Sequence, residues 1–291
     1  MIELFKMGKR YYLGGVDKNS GLTEVSLIQK EVNKIQTKKN ILLIINGVRD
    51  DEDIKYLKER MQSSDLNIFI MSDSIAIKSN LDIINACDIC LHQGINYYFD
   101  EITCRQYYSY VPELFYKNAK EKYRDQNVFK TNAVLFGGNN LDRQDKFNDY
   151  EILDSAVYKA FVKLYDKDGI ILLDNRIDYS RYLDELASCK YSLVICREEY
   201  RESNWITSRF FESVALKCLP IIDEDYCREE YAMFPIKVHD HDSMIKFIDL
   251  CEKDDNRERL LKFYNKTIMG RVNGFCNQLD TIMRNYFAFG F

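Results

Sequence analysis

The stretch that most constrains this chain runs from Tyr191 to Tyr226, YSLVICREEYRESNWITSRFFESVALKCLPIIDEDY. It holds two apolar runs of strand length, Ser192 to Cys196 and Cys218 to Ile222. Between them Arg209, Phe210, Glu212, Ser213, Ala215 and Leu216 repeat at helical spacing. Strand, loop, helix, strand is the pattern of a parallel βαβ unit, and it makes the chain α/β. In such sheets ligands sit at the carboxyl ends of the strands, against the N-terminus of the next helix. That helix opens on Thr207-Ser208-Arg209, so two hydroxyls and a guanidinium join amide N–H groups that already favour an anion. Glu212 follows Arg209 at i+3, on the same helix face. A guanidinium suits a diphosphate, and a carboxylate can accept from two neighbouring hydroxyls at once. The same residues also fit a surface Arg–Glu pair on an ordinary core helix.

The rest of the chain repeats the alternation. Ile41 to Ile45 is wholly apolar, as a strand buried on both faces must be, and Asp50 to Asp53 cap a helix from about Ile54 to Met61. Asn67 to Met71 is a strand that runs into Ser72-Asp73-Ser74, where Asp73 can serve as a general base or cap a turn. Leu81 to Ala86 reads as helix and Ile89 to Leu91 as a short strand ending at His92, a lone histidine that fits a structural role. Thr103 to Tyr116 is aromatic and irregular, and Lys117 to Lys130 reads as a polar, basic connector at the surface. The pattern then restarts: a strand at Ala133 to Phe136, a Gly137-Gly138-Asn139 loop carrying Arg143 and Lys146, and a helix from about Asp149 to Leu164. A strand at Ile170 to Leu173, a helix over Tyr179 to Ser188, and helical spacing over Met244 to Cys251 and Asn256 to Arg284 complete it.

Two Gly-Gly loops stand where phosphate cradles form, one at Gly14-Gly15 with Ser20 before a helix and one at Gly137-Gly138, although neither is a GxGxxG or a P-loop. A plain turn explains the first equally well. The three DxD pairs, Asp51/Asp53, Asp223/Asp225 and Asp240/Asp242, are what chance gives an Asp-rich chain, so no metal site is assigned. Cys87 and Cys90 form the single CxxC among nine cysteines, without the partners of a zinc site, and fit core packing.

The chain of 291 residues is 46% hydrophobic, enough for two ordinary α/β units, and carries a net charge of −5. That balance excludes a dedicated, strongly basic nucleic-acid binder but allows a local basic cleft. No apolar run approaches the roughly 18 residues of a membrane span, and MIELFKMGKR lacks a signal-type apolar region. The expectation is a cytoplasmic monomer with reduced thiols and no membrane partner.

Four segments, in order, resemble the DNA β-glucosyltransferases of T-even bacteriophages: NIFIMSDSI (Asn67 to Ile75), Gln93-Gly94-Ile95-Asn96, LFGGNNLDRQ (Leu135 to Gln144) and NWITSRFFESVALKCLPIIDEDY (Asn204 to Tyr226). The last is the most specific. The resemblance implies a GT-B fold, two Rossmann-like domains facing a central cleft. The domains expected are an acceptor-side one over 1–116, rejoined by a C-terminal helix at about 268–291, and a nucleotide-sugar one over 131–267, with 117–130 connecting them. It implies transfer of a hexose, glucose first among candidates, from a UDP-sugar to the hydroxymethyl group of 5-hydroxymethylcytosine or 5-hydroxymethyluracil in double-stranded DNA inside an infected bacterial cell. Asp73 then resembles the general base, Arg209 the diphosphate clamp and Glu212 the ribose ligand. Arg176 and Ile177 resemble the uracil-reading loop, and Gly138, Asn139 and Arg143 a second phosphate grip. No tightly bound cofactor is implied, and a divalent ion, Mg2+ or Mn2+, can assist. The basic residues after Gly-Gly are shifted in spacing, the Gly14-Gly15 pair is foreign to the family, and its acidic residue after the boundary proline is displaced to Glu113. A GT-B transferase acting on a polysaccharide or small molecule, and a nucleotide-sensing module without turnover, are the competing readings.

Overall fold

The structure, a computed structural model, describes residues 2–6, 32–45, 51–71, 76–92, 103, 106–109, 113–124, 128–137, 149–150, 161–165, 169–173, 179–195, 206–226, 236–271 and 275–289. They form two five-stranded sheets with helices packed against them.

The first sheet is wholly parallel, with strands in sequence order: β1 (Ile2–Lys6), β2 (Ile41–Ile45), β3 (Leu66–Met71), β4 (Ile89–His92) and β5 (Gln106–Ser109). Helix α1 (Asp51–Ser63) links β2 to β3, and α2 (Ala76–Ala86) links β3 to β4. The two-residue side-chain period divides the apolar strands between two cores. Leu42 and Ile44 of β2, with Phe69 and Met71 of β3, face Leu57 of α1 and Ile83 and Ile84 of α2. Ile41, Leu43 and Ile45, with Ile68 and Ile70, form the opposite face. Cys87 and Cys90 are free thiols buried in the first of these cores, as the packing reading requires.

The second sheet has the order β10-β9-β6-β7-β8. Its parallel part is β6 (Thr131–Gly137), β9 (Cys189–Val194) and β10 (Leu219–Ile222). On the other side of β6 lies an antiparallel hairpin, β7 (Phe161–Tyr165) and β8 (Gly169–Leu173). Here the helix expected to reach Leu164 is wrong at its end, since Phe161 to Tyr165 is a strand. FVKLY alternates in residue type and is rich in aromatic and β-branched side chains, and pairing with β6 decides the matter over local helical spacing. Helix α4 (Tyr179–Ser188) precedes β9, and α5 (Ser208–Ala215) links β9 to β10. The Tyr191–Tyr226 stretch is therefore the parallel βαβ unit its pattern predicts.

The segment expected as a surface connector is partly core. Helix α3 (Glu113–Lys122) packs along α5, with Tyr116 and Ala119 buried in the second sheet's two cores. The Tyr116 hydroxyl donates to Asn265 Oδ1 at 2.6 Å, and the Lys130 ammonium donates to the carbonyls of Ala187 and Cys189. Apolar residues at positions 116 and 119 lie one turn apart, which marks a buried helix face that the surrounding lysines obscure.

Helix α6 (His241–Cys251) is followed by α7 (Asn256–Arg271) and α8 (Phe275–Phe289), two helices where one long helix was expected. Helix α7 packs on α5 through Leu261 and Tyr264. Helix α8 returns to the first sheet: Leu279, Ile282 and Met283 join the face built by Ile41, Leu43 and Ile45. The Tyr286 hydroxyl donates to Asp88 Oδ1 at 2.9 Å, and the Lys39 ammonium lies 5.3 Å from the centre of the Phe287 ring. No described helix is long and apolar enough to cross a membrane.

Candidate functional site

Strand directions in the second sheet gather the sequence candidates along one edge. Strands β6, β9 and β10 are parallel. Strand β8 is antiparallel to β7, which is antiparallel to β6, so β8 points the same way as β6. The carboxyl ends of all four strands therefore leave the sheet together. β6 leads into Gly138, Asn139 and Arg143, β8 into Arg176 and Ile177, and β9 into the loop before Arg209. The strand order reverses beside β6, since the chain runs outward through β7 and β8 and then returns to β9 on β6's other side. Crevices at such a reversal are where open α/β sheets bind ligands.

Helix α5 sits at that edge. Phe210, Phe211 and Val214 anchor it in the core. The Ser213 hydroxyl donates to the Arg209 carbonyl at 2.7 Å and lies 2.8 Å from the Ser192 hydroxyl on β9. Its far end closes with the Lys217 N–H on the Val214 carbonyl and the Cys218 N–H on the Ser213 carbonyl, the double bond of a Schellman turn. Lys217 adopts the left-handed φ of 57° that this turn needs.

The opening of α5 is unusual. Thr207 stands at the N-cap with extended backbone, yet its side chain makes no capping bond. Instead its N–H donates to the Tyr226 hydroxyl at 2.8 Å, and its own hydroxyl lies 3.2 Å from the same oxygen. Tyr226, buried just beyond β10, thus fixes the start of the helix, while the first-turn amides are left without a threonine cap.

Arg209 and Glu212 differ in exposure. Arg209 keeps part of its surface in solvent, whereas Glu212 is 2% exposed. A carboxylate at that depth must be bonded on both oxygens. The Tyr179 hydroxyl donates to Oε1 at 2.5 Å and the Tyr182 hydroxyl to Oε2 at 2.9 Å. Burial pushes the Glu212 carboxyl up from its ordinary value, and the two phenols and the Arg209 charge pull it part of the way back. Burial and the neighbouring Glu212 charge push both tyrosines well above the ordinary phenol range, so each stays a donor. Tyr182 also shares a hydrogen bond with the Arg209 side chain, and Tyr179 one with Asn118 on α3. One buried network therefore joins α3, α4 and α5.

Of the expected site residues, Arg209 and Glu212 are described and lie side by side. Asp73, Gly138, Asn139, Arg143, Arg176, Ile177, Gly14, Gly15 and Ser20 lie outside the described residues. The strand before Asp73 ends at Met71, on the carboxyl edge of the first sheet. Sequence reasoning missed Tyr179, Tyr182, Tyr226 and Asn118. The first two carried a signal: they repeat at i,i+3 on α4, the spacing of Arg209 and Glu212 on α5. Among the described residues no three His, Cys, Asp or Glu side chains are grouped to hold a metal ion. Asp223 and Asp240, each from a DxD pair, have structural tasks: Asp223 bonds Tyr150 and Asp240 caps α6.

These observations define an α/β protein with an anion-binding helix start at a strand-order reversal. No family model matches the sequence, and no curated protein sequence matches it. Among solved structures, the chain is similar to the DNA modifying enzyme beta-glucosyltransferase, crystallised with and without the substrate uridine diphosphoglucose, with a TM-score of 0.48 and 14% identity over 93% of this chain and 95% of that one. It is likewise similar to a T4 phage beta-glucosyltransferase, with a TM-score of 0.47 and 13% identity over 93% of this chain and 96% of that one.

Proposed function

We propose that this chain is a UDP-sugar-dependent glycosyltransferase that moves a hexose, glucose first among candidates, onto the hydroxymethyl group of a modified pyrimidine in double-stranded DNA. The observation that carries the reading is the convergence of four strand ends with the opening of α5 and Arg209. The four motifs that resemble the phage enzymes give that convergence a substrate.

In this reading a diphosphate rests on the first-turn amides of α5 and on Arg209, with Gly138, Asn139 and Arg143 gripping it from the end of β6. Arg176 and Ile177, beyond β8, read the uracil. Asp73 takes the proton from the acceptor hydroxyl. The acceptor oxygen forms a bond to the anomeric carbon from the face opposite the diphosphate. The bond from that carbon to the phosphate oxygen breaks, its electron pair leaves with UDP, and the configuration inverts. The guanidiniums and helix amides meet the charge that grows on the leaving group. A target base inside a duplex has to be flipped out, at a cost of about a few kcal/mol. Lys117, Lys120 and Arg124 are exposed on and just after α3 and are available to DNA phosphates, whereas Lys122 is held by Asp184 and Ser180.

The test is incubation with radiolabelled UDP-glucose and a panel of acceptors: DNA containing 5-hydroxymethylcytosine, DNA containing 5-hydroxymethyluracil, unmodified DNA, and a polysaccharide. Label on modified DNA alone is the expected result. The net charge of −5 is what favours the second reading, a transferase for a polysaccharide or small molecule, and label on the polysaccharide would establish it. UDP binding with neither transfer nor donor hydrolysis would make the chain a nucleotide sensor.

A further inference from the structure

The geometry points to Glu212 as a positioning residue: with Tyr182, Tyr179 and Asn118 it forms a buried mount that holds the Arg209 guanidinium toward a diphosphate, and it does not itself touch the ribose. This inference rests on the donor site proposed above and assigns the residue one helical turn beyond Arg209 a different task.

Three observations separate the two roles. Glu212 is 2% exposed while Arg209 reaches solvent, so only the arginine presents surface to a ligand. Both carboxylate oxygens already accept a phenol hydrogen, Oε1 from Tyr179 at 2.5 Å and Oε2 from Tyr182 at 2.9 Å. A pair of ribose hydroxyls would have to displace two donors that are themselves packed on α4, where Tyr182 and Leu183 are buried. Finally, the donors lead to the arginine: the Tyr182 hydroxyl is bonded to Glu212 and to Arg209 alike, so removing either partner loosens the other. A long, flexible side chain held from behind by a buried counter-charge and a bridging hydroxyl is preorganised, and so loses less rotamer freedom when it meets a phosphate. The mount extends through Asn118 to α3, so the segment between the two sheets is tied to the arginine's position.

The experiment compares wild type, Glu212→Gln and Tyr182→Phe, by calorimetric titration with uridine 5′-diphosphate and with its 2′,3′-dideoxy analogue. A mount acts through phosphate contacts alone. Each substitution should therefore weaken both nucleotides by the same factor, about tenfold, the worth of one hydrogen bond to a charged group. A loss confined to the nucleotide with ribose hydroxyls makes Glu212 a ribose ligand and overturns the inference, as does unchanged affinity for both. Tyr182→Phe removes one hydroxyl and keeps the ring, so it carries the comparison if Glu212→Gln fails to fold. The Arg209 Nε–H resonance of the nucleotide-free protein, assigned by its disappearance in Arg209→Lys, gives a second readout. It should exchange slowly with solvent in wild type and fast in Tyr182→Phe. Were wild type to bind no uridine nucleotide, the proposed function would fail and this resonance alone would judge the mount.

Discussion

Tyr150 donates its phenol hydrogen to Asp223 Oδ2 at 2.6 Å, across 73 positions of sequence. Both groups are wholly buried, and Asp223 Oδ1 accepts the Asp225 N–H at 3.0 Å. The first acid of that DxD is therefore spent inside the protein, pinning the end of β10 to residue 150. Tyr150→Phe leaves a buried carboxylate one donor short. It should cost about 1–3 kcal/mol, read from the midpoint of chemical denaturation. A midpoint equal to wild type would mean that the carboxylate finds another donor.

Asp240 caps α6, accepting the Ser243 N–H at 2.7 Å while the Ser243 hydroxyl serves the Asp240 N–H at 3.0 Å. The bonds from Ser243 hold its carboxyl below the ordinary aspartate value. A group whose folded value is lowered stabilises fully above its unfolded value, about 3.9, and loses that contribution as pH falls through the folded value. Asp240→Ala should therefore lower the melting temperature at neutral pH, and its curve should approach that of wild type as the medium is acidified below about 3.9. A gap that stays constant with pH would assign the effect to packing.

Leu279 places α8 on the first sheet, buried against the face that carries Ile41, Leu43 and Ile45. Leu279→Ala should cost about 2–5 kcal/mol. Amide exchange should show the protection of β2 and β3 falling with it. Phe289, 68% exposed near the end of the same helix, is the control, and Phe289→Ser should change stability little.

Two substitutions divide the proposed chemistry. Arg209→Ala should weaken UDP binding by about tenfold to a hundredfold, and Arg209→Lys should restore little of it, because an ammonium lacks the planar fork that meets a diphosphate. Asp73→Ala should abolish transfer and leave UDP affinity as in wild type. Normal turnover in that variant would remove position 73 from the mechanism.

Much of the fold was legible because its signals are local. Ile41 to Ile45 and Tyr179 to Ser188 form the elements that their apolar spacing predicts, with the same ends. The βαβ unit was visible because a doubly buried strand must be continuously apolar. Position 161 shows the limit. Ile152, Leu153, Val157, Tyr158 and Phe161 fit a helix by spacing, yet Phe161 opens a strand because β6 offers it a partner. The basic helix α3 was likewise taken for surface, since its buried face is only two residues wide.

The sequence by itself determined the alternation of strands and helices and the closeness of Arg209 to Glu212, since a helix brings residues three apart onto one face. Only the tertiary structure decided what those two residues meet. Tyr182 lies 30 positions from Glu212, and Tyr226 lies 19 from Thr207. Neither separation leaves a periodic trace in the chain. A hydroxyl that satisfies a buried carboxylate is selected by where two packed helices place it, and that placement depends on the whole core beneath them.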